Sequence, residues 1–429
     1  MASLLIKNGT VIDPAGKTER KTDLLIVDGV IKEIAEKIKE KAEETIDAKG
    51  CYVMPGFVDM HVHLRDPGLT YKETVETGGE AALRGGYTTI VAMPNTKPVA
   101  DRADIVDYVM NKAKSLTKCH VIQAGSVTKG QQGQELAEIE EMAAHGCMAI
   151  SEDGKSVMNS GLYREAMKLA KELDITVLAH CEDINLVCGG VMNQDDKAKE
   201  LGLPGISNAV EDVITARDIL LAKETGVRLH LCHCSTKDSV QLVKWGKEAG
   251  VQVSAEVCPH HFSLCTEDIP GNDANYKMNP PLRTREDMEA LREGLKNDIM
   301  EVIATDHAPH AAEEKARPME TAPFGIVGSE TAAALTYTNL VDTGILTIMQ
   351  MAEKMSYNPA RILGLENKGF IAEGAIADLV VFDPKAEYTI DPKRFASKGK
   401  NTPFGGQKVK GKVMATISDG CIAYREETK

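Results

Sequence analysis

No stretch of this chain is long and apolar enough to cross a bilayer. The start, Met1-Ala2-Ser3-Leu4-Leu5-Ile6-Lys7, lacks the basic residues and extended apolar segment of a secretion signal. A cytoplasmic protein is expected. A basic excess is missing too: 64 acidic residues face 50 Lys and Arg, and the net charge of −14 argues against nucleic acid or an anionic membrane as partner. A small anionic substrate stays open, because one arginine in an enclosed site outweighs a distant surface field that salt screens. Repeats, linkers and disorder-prone tracts are absent. The ten cysteines are scattered, several in apolar runs (Cys147, Cys232, Cys258), which fits buried reduced thiols rather than a disulfide framework.

What is present is a long alternating middle between two β-rich ends. Apolar runs at 57–63, 87–93, 120–127, 147–152, 176–180, 228–233, 251–257 and 301–306 read as strands. Amphipathic stretches such as Asp101 to Ser115 and Arg164 to Leu173 separate them. Eight strands alternating with helices spell an α/β fold, a (β/α)₈ TIM-type barrel over residues 55–365. The ends carry Leu4-Leu5-Ile6-Lys7-Asn8-Gly9, the run from Asp23 to Ile31, Ala377 to Pro384 and Val413 to Gly420. Neither end alone has strands enough for a core, so residues 1–54 plus 366–429 are expected to form one small β-sandwich domain.

The chemistry sits where strands stop. His61 and His63 are two apart at the end of the first run, so both imidazoles share a face and can hold one metal ion. His180, His233 and Asp306 each close another apolar run, and Asp153 follows the fourth. In a barrel of this kind strand ends gather catalytic groups at one mouth. Six such ligands exceed what one tetrahedral zinc needs, so a two-metal cluster is expected, with ions about 3.5–4 Å apart and a shared hydroxide. A bridge is then required. Ser151-Glu152-Asp153-Gly154-Lys155 offers Asp153 directly, or Lys155 if carbon dioxide carboxylates its amine; Asp153 is preferred as closer to the strand end. In Cys232-His233-Cys234, strand alternation points both thiols away from the face of His233, so thiolate ligands are not expected. Arg65, two past His63, is placed to grip a substrate carboxylate with its guanidinium fork, and Asn95 ends the second strand as a further substrate contact.

The pattern resembles the amidohydrolase superfamily, on the run Pro55-Gly56-Phe57-Val58-Asp59-Met60-His61-Val62-His63, on His180, His233 and Asp306, and on the split β-domain. Within it the chain resembles the bacterial dihydroorotases that bridge their metals with aspartate. The residues carrying this are His63-Leu64-Arg65-Asp66-Pro67-Gly68, Ala92-Met93-Pro94-Asn95-Thr96, Ser151-Glu152-Asp153-Gly154, Met278-Asn279-Pro280-Pro281-Leu282-Arg283 and Thr305-Asp306-His307-Ala308-Pro309-His310. The resemblance implies reversible cyclisation of N-carbamoyl-L-aspartate to L-dihydroorotate plus water, in pyrimidine biosynthesis. It implies two Zn²⁺ per chain: His61, His63 and Asp306 on one, His180 and His233 on the other, Asp153 bridging, and Asp306 as general acid/base. Asn279 and His310 become substrate contacts on the same ground. The polar segment 311–325 is expected over the mouth, with Phe324-Gly325 presenting backbone groups to the substrate ring. A homodimer is implied, and association with aspartate transcarbamoylase stays open.

His120, His145, His230, His260, His261 and His307 are expected to be core, supporting or surface histidines, with one of His260 and His261 facing inward at the end of strand seven. Hydantoinases and dihydropyrimidinases cleave a similar cyclic amide on this scaffold. That group normally carries a bridging lysine and needs no grip on a carboxylate, so Arg65 and Asp153 weigh against it. A non-catalytic scaffold for aspartate transcarbamoylase should have lost ligands, and all six are here.

Overall fold

The computed structural model describes residues 3–427; residues 1, 2, 428 and 429, outermost in the expected small domain, lie outside the described residues. Eight parallel strands form the barrel: β1 Phe57–Val62, β2 Tyr87–Ala92, β3 His120–Gln123, β4 Ala149–Ser151, β5 Thr176–Ala179, β6 Leu229–Leu231, β7 Val253–Val257 and β8 Val302–Ile303. The pair Gly125–Ser126 continues β3 and joins it to β4. The ring closes between β8 and β1 through a bridge from Val62 to His307, where the His63 amide donates to His307 O at 2.8 Å.

All eight expected strands are present, most of them shorter than the apolar runs. β6 stops at Leu231 and β8 at Ile303, before His233 and Asp306. Side chains of one parity, including Val58, Met60, Val91, Leu178 and Val302, fill the barrel. Those of the other parity, including Phe57, Ile90, Val177 and Leu231, meet the helices in the main core. This two-sided burial is why parallel strands read as unbroken apolar runs. The helix expected at 101–115 is Ala103–Leu116, and that at 164–173 is Ser160–Glu172. Asn159 starts the latter early, its side chain accepting from the Gly161 and Leu162 amides.

Both ends of the chain build the second domain, a pair of sheets. One has the order Val30–Ala35, Asp23–Val27, Ser3–Lys7, Glu44–Asp47. The other runs Cys421–Arg425, Lys408–Ser418, Leu379–Thr389, Tyr52–Pro55, Thr10–Asp13, Thr18–Lys21. Leu4, Ile6, Leu24, Val53, Leu379 and Ile417 share the core between them. The run from Asp23 to Ile31 is a hairpin rather than one strand. Asp28 and Gly29 both have left-handed backbone, φ 51° and 86°, the geometry for which Asp-Gly is favoured in two-residue turns. All ten cysteines are free, and among the described residues no helix is long and apolar enough to cross a membrane.

Candidate metal centre

His61 and His63 both reach the barrel mouth, by a route that simple alternation does not describe. Met60 already points into the barrel, so alternation would turn His61 out. The register between β1 and β2 slips between Asp59 and Val62, and this extra residue brings His61 inward while Val62 rejoins the outer layer. At β6 the same logic corrects the reading of the thiols. Cys232, not His233, has the inward parity, and its Sγ lies within 4.8 Å of ligand atoms of His61 and Glu256. Burial pushes the Cys232 thiol up to about 12, so it packs there as a neutral group. His233 comes to the mouth because its backbone turns left-handed, φ 34°. Asp306 (φ 48°) and Arg65 (φ 59°) are held the same way, a strain that clusters where surrounding structure demands a particular side-chain direction.

The six residues converge. Asp153 Oδ1 lies 3.2 Å from His61 Nε2, 3.3 Å from His180 Nδ1 and 3.5 Å from His233 Nε2, while its Oδ2 is 3.4 Å from His63 Nε2. Asp306 Oδ1 is 3.1 Å from His63 Nε2 and 3.6 Å from His61 Nε2, and His180 Nδ1 lies 2.9 Å from His233 Nε2. Three imidazoles are oriented from behind. His61 Nδ1 donates to Glu256 Oε1 at 2.9 Å, His63 Nδ1 to Asn95 Oδ1 at 2.9 Å, and His180 Nε2 to Glu182 Oε2 at 2.8 Å. Each such bond leaves the ring's other nitrogen as a lone-pair donor facing the cluster.

This donor set fits divalent metal. His61 Nε2 and Asp153 Oδ1 are buried without hydrogen-bond partners although they face each other. Burial disfavours charge on His61 and His180, yet Asp153 raises both, His180 to about 10 with the help of Glu182, so the cluster draws positive charge. Burial works against ionised Asp306 as well, but His63, His61 and His233 hold it below the usual carboxylate range. Lys155 takes no part: it is exposed, and its Nζ donates to Gln131 O at 3.0 Å.

Beside the cluster lies a cationic wall. Arg65 is 9% exposed, and its Nε donates to Pro309 O at 3.3 Å; no carboxylate among the described residues forms an ion pair with it. Its turn is tight: a Cβ at Gly68 (φ 87°) would lie 1.9 Å from Lys97 O, while the Leu69 amide donates to Arg65 O at 2.9 Å. Gly68→Ala is therefore expected to strain the turn by on the order of 1–3 kcal/mol and raise KM several-fold at unchanged metal content. Steady-state kinetics with metal analysis checks this; an unchanged KM would detach the turn from binding.

His310 donates Nε2–H to Phe324 O at 2.7 Å, and its Nδ1 accepts from Lys72 Nζ at 3.2 Å. Burial, with Arg65, Lys72 and Lys315 nearby, pushes it down to about 2, so the ring is neutral. The backbone of Gly325, expected to face a substrate ring, has partners within the chain. Gly325 N–H donates to Lys277 O at 3.0 Å, and Gly325 O accepts from Lys315 Nζ at 2.9 Å and Asn401 Nδ2 at 3.0 Å. Two buried lysines cause this. Lys315 also caps Pro323 O, and Lys277 caps Met319 O and Ala322 O, so segment 311–325 is tied down through its carbonyls. Asn279 stands beside Glu182 and helps hold that carboxyl below its ordinary value, after His180.

A profile described as Dihydro-orotase-like matches residues 50–239. The chain is 49% identical over 425 residues to a dihydroorotase of Pelotomaculum thermopropionicum, covering 99% of both, and 48% identical over 422 residues to one of Listeria innocua, covering 98% and 99%. The chain belongs to the dihydroorotase family. Solved structures similar to this family member include the L-hydantoinase (dihydropyrimidinase) of Arthrobacter aurescens, with TM-score 0.89 at 28% identity over 100% of this chain and 98% of that one. A D-hydantoinase (dihydropyrimidinase) from Thermus sp. matches with TM-score 0.83 at 30% identity, over 98% and 95%. The barrel with its β-sandwich is thus the architecture this dihydroorotase relative shares with hydantoinases.

Glu256, Glu182 and Lys72 were missed from sequence. Glu182 carried a signal, lying two past His180 as Arg65 lies two past His63. Glu256 carried a weaker one, a lone charge in the buried run Val253–Val257. Of the remaining histidines, His145 pairs with Asp107 at the surface, and His307 accepts from the Gly328 and Ser329 amides. His260 and His261 sit on the short helix Pro259–Ser263, past the end of β7, both buried; His261 donates to Pro280 O at 2.9 Å.

Proposed function

We propose that this chain interconverts N-carbamoyl-L-aspartate and L-dihydroorotate plus water, as the dihydroorotases it matches along nearly its full length do by name. Its metal centre is read as two zinc ions, one held by His61, His63 and Asp306, the other by His180 and His233, with Asp153 bridging. Bound there, such ions lower the pKa of water toward about 7 and polarise the amide carbonyl. The protein's own residues supply the rest. Asp306, ionised and beside His63, accepts the proton released as water attacks and delivers it to the departing ring nitrogen; the reverse transfer serves cyclisation. Asn95 steadies His63 through Oδ1, and its amide nitrogen remains for the substrate. Asn279 borders the ring site, and His310 and Phe324-Gly325 shape its far wall.

Arg65 carries the choice of substrate. A guanidinium this enclosed, without an acidic partner, supports a ligand that brings its own carboxylate, which dihydroorotate has and an unsubstituted dihydropyrimidine lacks. Arg65→Met is expected to keep its zinc and lose on the order of 2–5 kcal/mol of transition-state stabilisation, read as kcat/KM for dihydroorotate. Parental kcat/KM in that variant, or a parent that prefers the uncharged ring, moves the assignment to hydantoinase. A cytoplasmic setting, a homodimer and association with aspartate transcarbamoylase are expectations carried by the family likeness; sizing the chain alone and mixed with that enzyme tests the last two.

A further inference from the structure

Strand β7 gives no residue to the six-residue cluster, yet its Glu256 lies behind both halves of it. The side chains of Glu256, His61 and His230 are fully buried. Glu256 Oε1 accepts from His61 Nδ1 at 2.9 Å and from the backbone amide of His233 at 3.1 Å. Its Oε2 accepts from His230 Nε2 at 2.9 Å, and Ser254 Oγ lies 2.8 Å from His230 Nδ1. One carboxylate therefore touches a residue of the His63–Asp306 side and a residue of the His180 side.

We infer that Glu256 is the positioning residue of the metal centre, choosing the His61 tautomer that turns Nε2 to the metal and holding the left-handed turn that brings His233 to the mouth, with His230 anchoring it. This rests on the metal-centre reading above. Three N–H groups converge on two carboxylate oxygens, an arrangement only an ionised acid satisfies. A carboxamide has one accepting oxygen and must aim its own N–H at a donor. His230, otherwise a core histidine without a task, gains one: its ring spans from Ser254 to Glu256 and fixes where the carboxylate stands.

The test uses the full chain, with zinc affinity read by competition against a chromophoric chelator, the visible spectrum of the cobalt-loaded protein and a thermal melt. Glu256→Gln is expected to weaken zinc binding by roughly 10- to 100-fold and to alter the cobalt spectrum. His230→Gln, whose amide nitrogen still donates to Glu256, is expected to stay within a few-fold of the parent. Should Glu256→Gln not fold, His230→Leu decides: it keeps the carboxylate but removes its anchor, and weakened zinc binding supports the inference. Parental affinity and spectrum in Glu256→Gln, or in His230→Leu where that decides, overturn it. A parent chain that binds no divalent metal refutes the metal-centre reading instead, so the two failures are distinct.

Discussion

Asp153→Ala is expected to lose one of two metal equivalents and nearly all turnover. The argument is geometric: its two oxygens face His61, His63, His180 and His233 at 3.2 to 3.5 Å, so this one side chain spans both halves of the cluster. Removing it leaves four imidazoles without the shared anion that lets two cations sit close together. Lys155→Ala is expected to stay within a few-fold of the parent, with bicarbonate making no difference, because Lys155 is exposed and bonded to Gln131 O. Metal analysis and turnover of the two variants read the outcome. If Lys155→Ala were the dead one, and short-chain acids rescued it by imitating a carboxylated lysine, the bridge would be the lysine.

Asp306→Asn is expected to retain much of its metal and to lose turnover by on the order of 10²–10⁴-fold, the usual worth of a positioned proton-transfer group. The amide keeps an oxygen to face His63 Nε2, where Asp306 Oδ1 now sits at 3.1 Å, but it cannot take up a proton. The parent carboxylate can, since His63, His61 and His233 keep it ionised against the effect of burial. Parent activity is expected to fall with acid as Asp306 takes up its proton, below the usual carboxylate range, and the variant, lacking that carboxyl, should lose this part of the acidic limb of kcat/KM. Near-parental turnover at full metal content would remove Asp306 as the acid/base.

The amino-acid sequence by itself determined the eight-strand barrel, the β-rich second domain drawn from both ends, and which six residues meet at the mouth. These follow from short-range regularities: period-two and unbroken apolar runs mark strands, and a His or Asp closing such a run lies at the end where barrel sites form. The family likeness came through the same strand ends. Tertiary structure alone decided how those residues point. Alternation would have sent His61 and His233 outward and Cys232 toward the site. A register slip in β1 and a left-handed turn after β6 reversed this for the histidines, and both depend on pairing and packing with neighbouring strands. It also decided what stands behind the site: Glu256 is 195 positions from His61, and Lys315 caps the carbonyls of Pro323 and Gly325 in the segment past β8. Partners so distant leave no periodic mark in the chain, because a buried donor is matched by whichever acceptor the folded backbone brings within reach.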